Sequence, residues 1–69
     1  QTQMKPMDII LNGQKKKCLF RGGEITSLLS SLSLRSEEVL VKVNGSLAPE
    51  DAQISIKDEV EIIKVVFGG

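Results

Sequence analysis

Hydrophobic positions along the chain follow two different periods, and the switches between them mark out the elements. Residues 7–11 and 14–20 read as two strands separated by Asn12-Gly13. Asn-Gly is the strongest short hairpin signal, because both residues accept the positive φ angles of a type I′ turn. Arg21-Gly22-Gly23 ends the second strand. Ile25, Leu28, Leu29 and Leu32 then recur at i, i+3, i+4 and i+7, one face of an α-helix. Glu24 at its start suits the positive end of the helix dipole. Its several serines lower the intrinsic propensity, so packing must hold this helix. Residues 39–43, with Val39, Val41 and Val43, form a third strand rich in β-branched side chains. Asn44-Gly45 is a second turn signal, and 46–48 is a short strand cut off by Pro49, which has no amide donor. Residues 50–56 read as a loop with at most one helical turn, 57–59 as a turn, and 60–66 as the last strand.

The predicted order is strand, strand, helix, strand, short strand, strand. A hairpin, a helix and further strands give an α+β fold: a mixed four- to five-stranded sheet with one main helix on one face. This is the β-grasp, or ubiquitin-like, arrangement. By analogy with that fold, the first and last strands lie side by side in the centre. Residues 1–6 read as a flexible N-terminal segment, 7–66 as the domain and 67–69 as a C-terminal tail.

Composition narrows the chemistry. The chain has 69 residues, one cysteine and no histidine. One domain fits this length, and no internal disulfide can staple it. No Cys/Asp/Glu cluster stands at metal spacing, so neither a metal nor another cofactor is expected. A single cysteine fits a reducing cytoplasm better than secretion. No apolar run approaches the roughly 20 residues of a membrane helix, and residues 1–6 lack the apolar stretch of a signal peptide. The nine Lys/Arg and nine Asp/Glu residues balance, which argues against a nucleic-acid binder. They are unevenly spread. Residues 1–35 hold six basic and two acidic side chains, a net of +4, and residues 36–69 hold three and seven, a net of −4. Such asymmetry can steer a partner, although it is also what a solvated surface looks like.

The hairpin, the helix entry Gly22-Gly23-Glu24-Ile25, the segment Val41-Lys42-Val43-Asn44-Gly45 and the ending Val66-Phe67-Gly68-Gly69 resemble the ThiS/MoaD sulfur-carrier family. The resemblance runs from about Met7 to Gly69. Small archaeal modifier proteins are similar in outline. The chain differs from many members in having Lys57-Asp58-Glu59 before the last strand and Phe67 before the diglycine. The resemblance implies a co-substrate rather than an enzyme, acting through the Gly69 carboxylate with Gly68 as its slender neighbour. An E1-like partner that binds ATP would adenylate this carboxylate. A sulfur donor would convert it to a thiocarboxylate, and an acceptor enzyme would use the sulfur for thiamine, molybdopterin or tRNA thiolation. An alternative is a protein modifier joined to lysines through Gly69. Another is a non-covalent interaction module with an idle tail. A monomer is expected.

Strand phase suggests where a partner docks. Side chains alternate faces. Asp8 and Asn12 facing water put Ile10 outward, Lys42 puts Leu40 outward, and Glu61 puts Ile63 and Val65 outward. Ile10, Leu40, Ile63 and Val65, with Phe67 beyond them, would form a partner-binding apolar patch beside the tail. The same phase puts Lys64 on the inner face, where its charge must reach past the sheet end. Cys18 reads as structural, since no histidine can pair with it. Lys15, Lys16 and Lys17 read as a solvated run that protects a sheet edge.

Overall fold

The computed structural model describes residues 3–65. Both Asn-Gly pairs form two-residue turns with positive φ throughout: 51° and 82° at Asn12 and Gly13, 53° and 87° at Asn44 and Gly45. The first turn joins β1 (Lys5–Leu11) to β2 (Gln14–Phe20) in unbroken antiparallel register, from Leu11 opposite Gln14 to Lys5 opposite Phe20. The first strand therefore starts at Lys5, two residues before the expected Met7. Lys5 and Pro6, expected in a flexible segment, pair with β2. Pro6 is tolerated because β1 meets its other neighbour only from Ile9 onward.

The short β3 (Gly23–Glu24) leads into α1 (Ile25–Ser31). After a 3-10 turn at Ser36–Glu38 come β4 (Val39–Val43), β5 (Ser46–Leu47), β6 (Gln53–Ile54) and β7 (Val60–Lys64). The main sheet has the order β2-β1-β7-β4-β5. As expected for a β-grasp, β1 and β7 lie side by side at the centre; they run parallel, with Ile9 opposite Val60 and Leu11 opposite Ile62. The second turn sets β5 against β4, with Lys42 opposite Leu47.

One face of this sheet and one face of α1 make the core. Met7, Ile9, Val39, Val41, Val60 and Ile62 point inward from β1, β4 and β7, and Ile25, Leu28 and Leu29 meet them from the helix. Phe20 and Ile54 close the sides. No polar or charged residue is buried among the described residues. Each fully buried aliphatic contributes about 1.5–3 kcal/mol against the chain entropy of folding.

The segment 50–56, expected as a loop, contains β6. Ile54 is buried there and pairs with Gly23, while Gln53 pairs with Glu24. Gly23 has φ 136°, a conformation that lets the chain turn out of β2 directly into this pairing. The same segment caps the helix. Its carbonyls at Ala52 and Glu50 accept hydrogen bonds from the Ile25 and Thr26 N–H groups, both at 3.0 Å. Glu24 itself is extended (φ −75°, ψ 152°) and makes no side-chain cap to the backbone; its carboxylate accepts a hydrogen bond from the Thr26 hydroxyl at 3.0 Å.

At the other helix end Leu32 is the cap and Ser33 sits in the left-handed region at φ 60°. Leu34 N–H donates to Leu29 C=O at 2.9 Å and Ser33 N–H to Ser30 C=O at 3.0 Å. This is a Schellman ending with serine where glycine is usual. A left-handed residue with a Cβ carries strain of roughly 1–2 kcal/mol. Ser33→Gly is accordingly expected to stabilise the fold by about 1 kcal/mol after the entropy of glycine is subtracted, raising the thermal midpoint by about 4–8 °C. Calorimetry of the two proteins checks this; a lower midpoint in the variant would contradict it.

Candidate functional site

The helix covers one face of the sheet, so the other face is open to partners. Strand pairing fixes which side chains meet there. On one row Ile10 lies opposite Glu61, Glu61 opposite Lys42, and Lys42 opposite Leu47. On the next row along β7, Ile63 lies opposite Leu40. Leu40 is 47% exposed and Leu47 65%, while Ile10, Ile63 and Val65 are half-buried. The structure thus brings Leu40 and Ile63 into a direct pair and sets Ile10 diagonal to them. The Glu61/Lys42 pair, of opposite charge, notches the aliphatic patch between Ile10 and Leu47.

Leu47 was not among the residues predicted for this face. The signal was present in the turn: a two-residue Asn44-Gly45 loop forces Leu47 opposite Lys42, and hence outward. Leu47 and Leu40 also border a shallow groove at the β5 edge, together with Pro49, Glu50 and Asp51. This acidic side opposes the basic edge strand β2, where Lys15, Lys16 and Lys17 are all exposed. The C-terminal acidic residues are nevertheless not confined to the β5 side: Asp58 and Glu59 line one hollow with Lys15, Lys16 and Lys17, and Lys17 forms an ion pair of 3.6 Å with Asp8.

β7 leads from the centre of the sheet toward the tail, and both of its ends are held by turn residues. At its start Asn44 N–H donates to Glu59 C=O at 2.7 Å, and Glu59 N–H donates back to Asn44 Oδ1 at 2.9 Å. The Asn44 amide also donates to Asp58 Oδ1 at 3.2 Å, and Ser55 N–H donates to Asp58 Oδ2 at 2.9 Å. At its far end Asn12 N–H donates to Ile62 C=O at 2.9 Å, and Lys64 N–H donates to Asn12 Oδ1 at 2.8 Å. Val65 N–H donates to Glu38 C=O at 2.8 Å on the opposite flank. Lys64 follows the inner phase of the strand but lies exposed, at the strand's end. Phe67, Gly68 and Gly69 lie outside the described residues.

The sequence profile of the ThiS family matches residues 9–69, nearly the whole chain. The chain belongs to the ThiS family. The crystal structure of the thiamine biosynthesis protein ThiS from Geobacter metallireducens is similar to it, with a TM-score of 0.61 and 29% identity over 91% of this chain and all of that one. A protein of Porphyra purpurea described as uncharacterized protein ycf40 is 33% identical over 94% of this chain and 96% of its own length. ThiS-family proteins are small sulfur carriers that work with partner enzymes, and the mixed sheet with one helix is their β-grasp fold.

In this ThiS-family chain Cys18 lies half-buried on the inner side of β2, opposite Met7. Burial pushes its thiol pKa up, which leaves less of the reactive thiolate at neutral pH. That agrees with a structural cysteine. Among the described residues no group of three or more His, Cys, Asp or Glu side chains could hold a metal ion. No helix of the structure is long and apolar enough to cross a membrane.

The Asp58 carboxyl is held below its ordinary value, first by the Ser55 N–H and then by the Asn44 amide. A depressed folded pKa stabilises the fold above the unfolded value of about 3.9, and this contribution disappears as pH falls through the folded value. Asp58→Asn is therefore expected to lower the thermal midpoint at pH 6, with the gap to the unsubstituted protein narrowing by pH 2–3. A gap of equal size at both pH values, measured by circular dichroism melting, would sink this account.

Proposed function

We propose that this chain carries sulfur as a thiocarboxylate on Gly69. The observation that carries the reading is the family match, which continues through Gly68 to Gly69. The geometry supports it, since β7 runs from the protected centre of the sheet to within a few residues of that carboxylate. A free carboxylate is a poor electrophile. An E1-like partner holding ATP would let a Gly69 carboxylate oxygen attack the α-phosphorus, releasing pyrophosphate and leaving an acyl adenylate. Hydrosulfide from a sulfur donor then attacks the carbonyl carbon and AMP departs with one carboxylate oxygen, leaving a thiocarboxylate. The thiocarboxylate delivers its sulfur to an acceptor enzyme. Among acceptors the thiamine route is favoured, because the similar solved structure is a thiamine biosynthesis protein.

Glycine suits such a tail because, lacking Cβ, it passes narrow channels and adopts φ values closed to other residues. Ordering an extended tail costs about 1–2 kcal/mol per residue, so the partner must gain affinity on the folded body. The open sheet face offers this. Leu40, Leu47 and Ile63, with Ile10 and Val65 beside them, form the docking surface of this proposal, and Phe67 would extend it toward the tail.

Two measurements test the reading. Intact mass after incubation with the activating enzyme of the same organism, ATP and a sulfide source should show one oxygen exchanged for sulfur, and no exchange in a Gly69-deleted chain. Conjugates to protein lysines without a thiocarboxylate would instead identify a modifier, and no adenylate with an enzyme active on another carrier would remove the reading. For the surface, Leu47→Asp should leave the thermal midpoint nearly unchanged, because the side chain is largely exposed, and raise KM for activation about tenfold or more. Unaltered KM in both Leu47→Asp and Ile63→Asp would exclude the sheet face as the docking site.

A further inference from the structure

The far end of β7 is held by a side chain that does a main-chain job. β1 and β7 pair in parallel as far as Leu11 and Ile62. In a regular parallel ladder the next residue of β1 would donate its N–H to Ile62 C=O and accept the N–H of Lys64 on its own main-chain carbonyl. Asn12 makes the first of these bonds, at 2.9 Å. Its φ of 51°, however, turns the chain into the hairpin, and the ladder would end there. Instead the side-chain oxygen of Asn12 accepts from Lys64 N–H at 2.8 Å, which extends the pairing of β7 by one more bond. Val65 N–H, facing the other flank, is taken by Glu38 C=O at 2.8 Å. The chain is thus fixed on alternating sides up to Val65, and four residues separate this point from the Gly69 carboxylate. Four extended residues reach about 13 Å.

We propose that Asn12 is a positioning residue for the chemistry of the tail: its side-chain oxygen, by anchoring Lys64, sets where the tail starts and in which direction it leaves the sheet. This rests on the carrier reading above. A docked body places the sheet relative to the partner's ATP, but the carboxylate reaches the α-phosphorus only if its point of departure is also fixed. Each residue freed at the base widens the volume over which the carboxylate is spread, and a lower share of docked complexes is in attacking geometry. Losing the Asn12 anchor should therefore lower kcat and leave KM, set by the sheet face, in place.

The second Asn-Gly turn supplies a matched control. Asn44 makes the same kind of side-chain bond, to Glu59 N–H, at the start of β7 and away from the tail. Glycine at either position keeps the positive φ and removes the anchor. The experiment compares single-turnover adenylation and native-state amide exchange for the full chain and three variants, at a temperature where all are folded. Asn12→Gly should speed exchange at the Lys64 amide and lower kcat about five- to tenfold, the effect of one net hydrogen bond, with KM unchanged. Asn12→Asp keeps an acceptor oxygen and should restore both. Asn44→Gly, which also loses the bond to Asp58, should lower the thermal midpoint at least as much as Asn12→Gly yet retain the full kcat. The proposal is overturned if Asn12→Gly keeps the unsubstituted kcat, if Asn44→Gly loses as much, or if exchange at Lys64 does not change. A parent chain that its activating enzyme does not adenylate removes the carrier reading itself, and this role with it.

Discussion

The parallel pairing of β1 with β7 is the constraint on which the rest of the molecule depends. It joins the first strand to the last, so no hairpin can make it; the chain must first cross over through α1 and β4. The cost is the closure of a long loop, and burial offsets it. Met7 and Ile9 on β1 and Val60 and Ile62 on β7 are almost wholly removed from water, directly beneath Ile25, Leu28 and Leu29. In a chain of 69 residues there is little else to draw on. Such domains bury only about 60% of their unfolded surface, and this one has a single cysteine and, among its described residues, no side-chain cluster that could hold a metal. The helix is short and serine-rich, and cannot stand alone. It forms because the paired strands offer it a surface, and they stay paired because the helix covers them.

The same arrangement explains how a protein with no histidine and one half-buried thiol takes part in group transfer. In the proposed function the chemistry asked of it is that of the Gly69 carboxyl group, and the reactive apparatus sits on the partners. This chain must supply recognition and placement. The docking surface proposed above is the sheet face that α1 leaves free, where the alternation that buries Val41 and Ile62 necessarily turns Leu40 and Ile63 outward. In the same proposal placement falls to β7. A central strand is the least mobile support available in a small sheet, since both of its flanks are paired.

Much of this fold was legible in the sequence, for reasons that can be named. The two Asn-Gly pairs specified their turns because few residues accept positive φ at consecutive positions. The Ile25, Leu28, Leu29 periodicity specified the buried helix face, and the outward phase of Ile10, Leu40 and Ile63 came from Asp8, Lys42 and Glu61. Three things were hidden. β6 has two residues, too few to show a period, and it exists only because Gly23 brings a partner to it. Pro6 looked like the end of an unstructured lead, although a strand margin with one free flank tolerates it. The partnerships of Asn12 and Asn44 were invisible because each residue already had a sufficient explanation in its turn; their side-chain bonds reach 52 and 15 residues along the chain.

That double use of asparagine bears on how strand ends are held in so small a fold. A backbone N–H at the end of a central strand faces a neighbour that has already turned away, and water is its default partner. Glycine at the first turn position would satisfy φ equally well and leave that N–H to solvent. Asparagine satisfies φ and carries an oxygen at the length of one further peptide carbonyl, so the turn that ends one strand prolongs the next. Here the device occurs at both ends of β7, the strand that leads to the tail. At its start it is joined to Asp58, whose carboxylate gathers Ser55 and Asn44 into one network. At its far end it meets Lys64, the last residue of the strand, and Glu38 takes the following N–H on the other flank. The first network fits a role in holding the fold together. The second lies outside the core and, in the role proposed for Asn12, fixes the direction in which the chain leaves the sheet, where a carrier with its reactive group on a short tail would most need order.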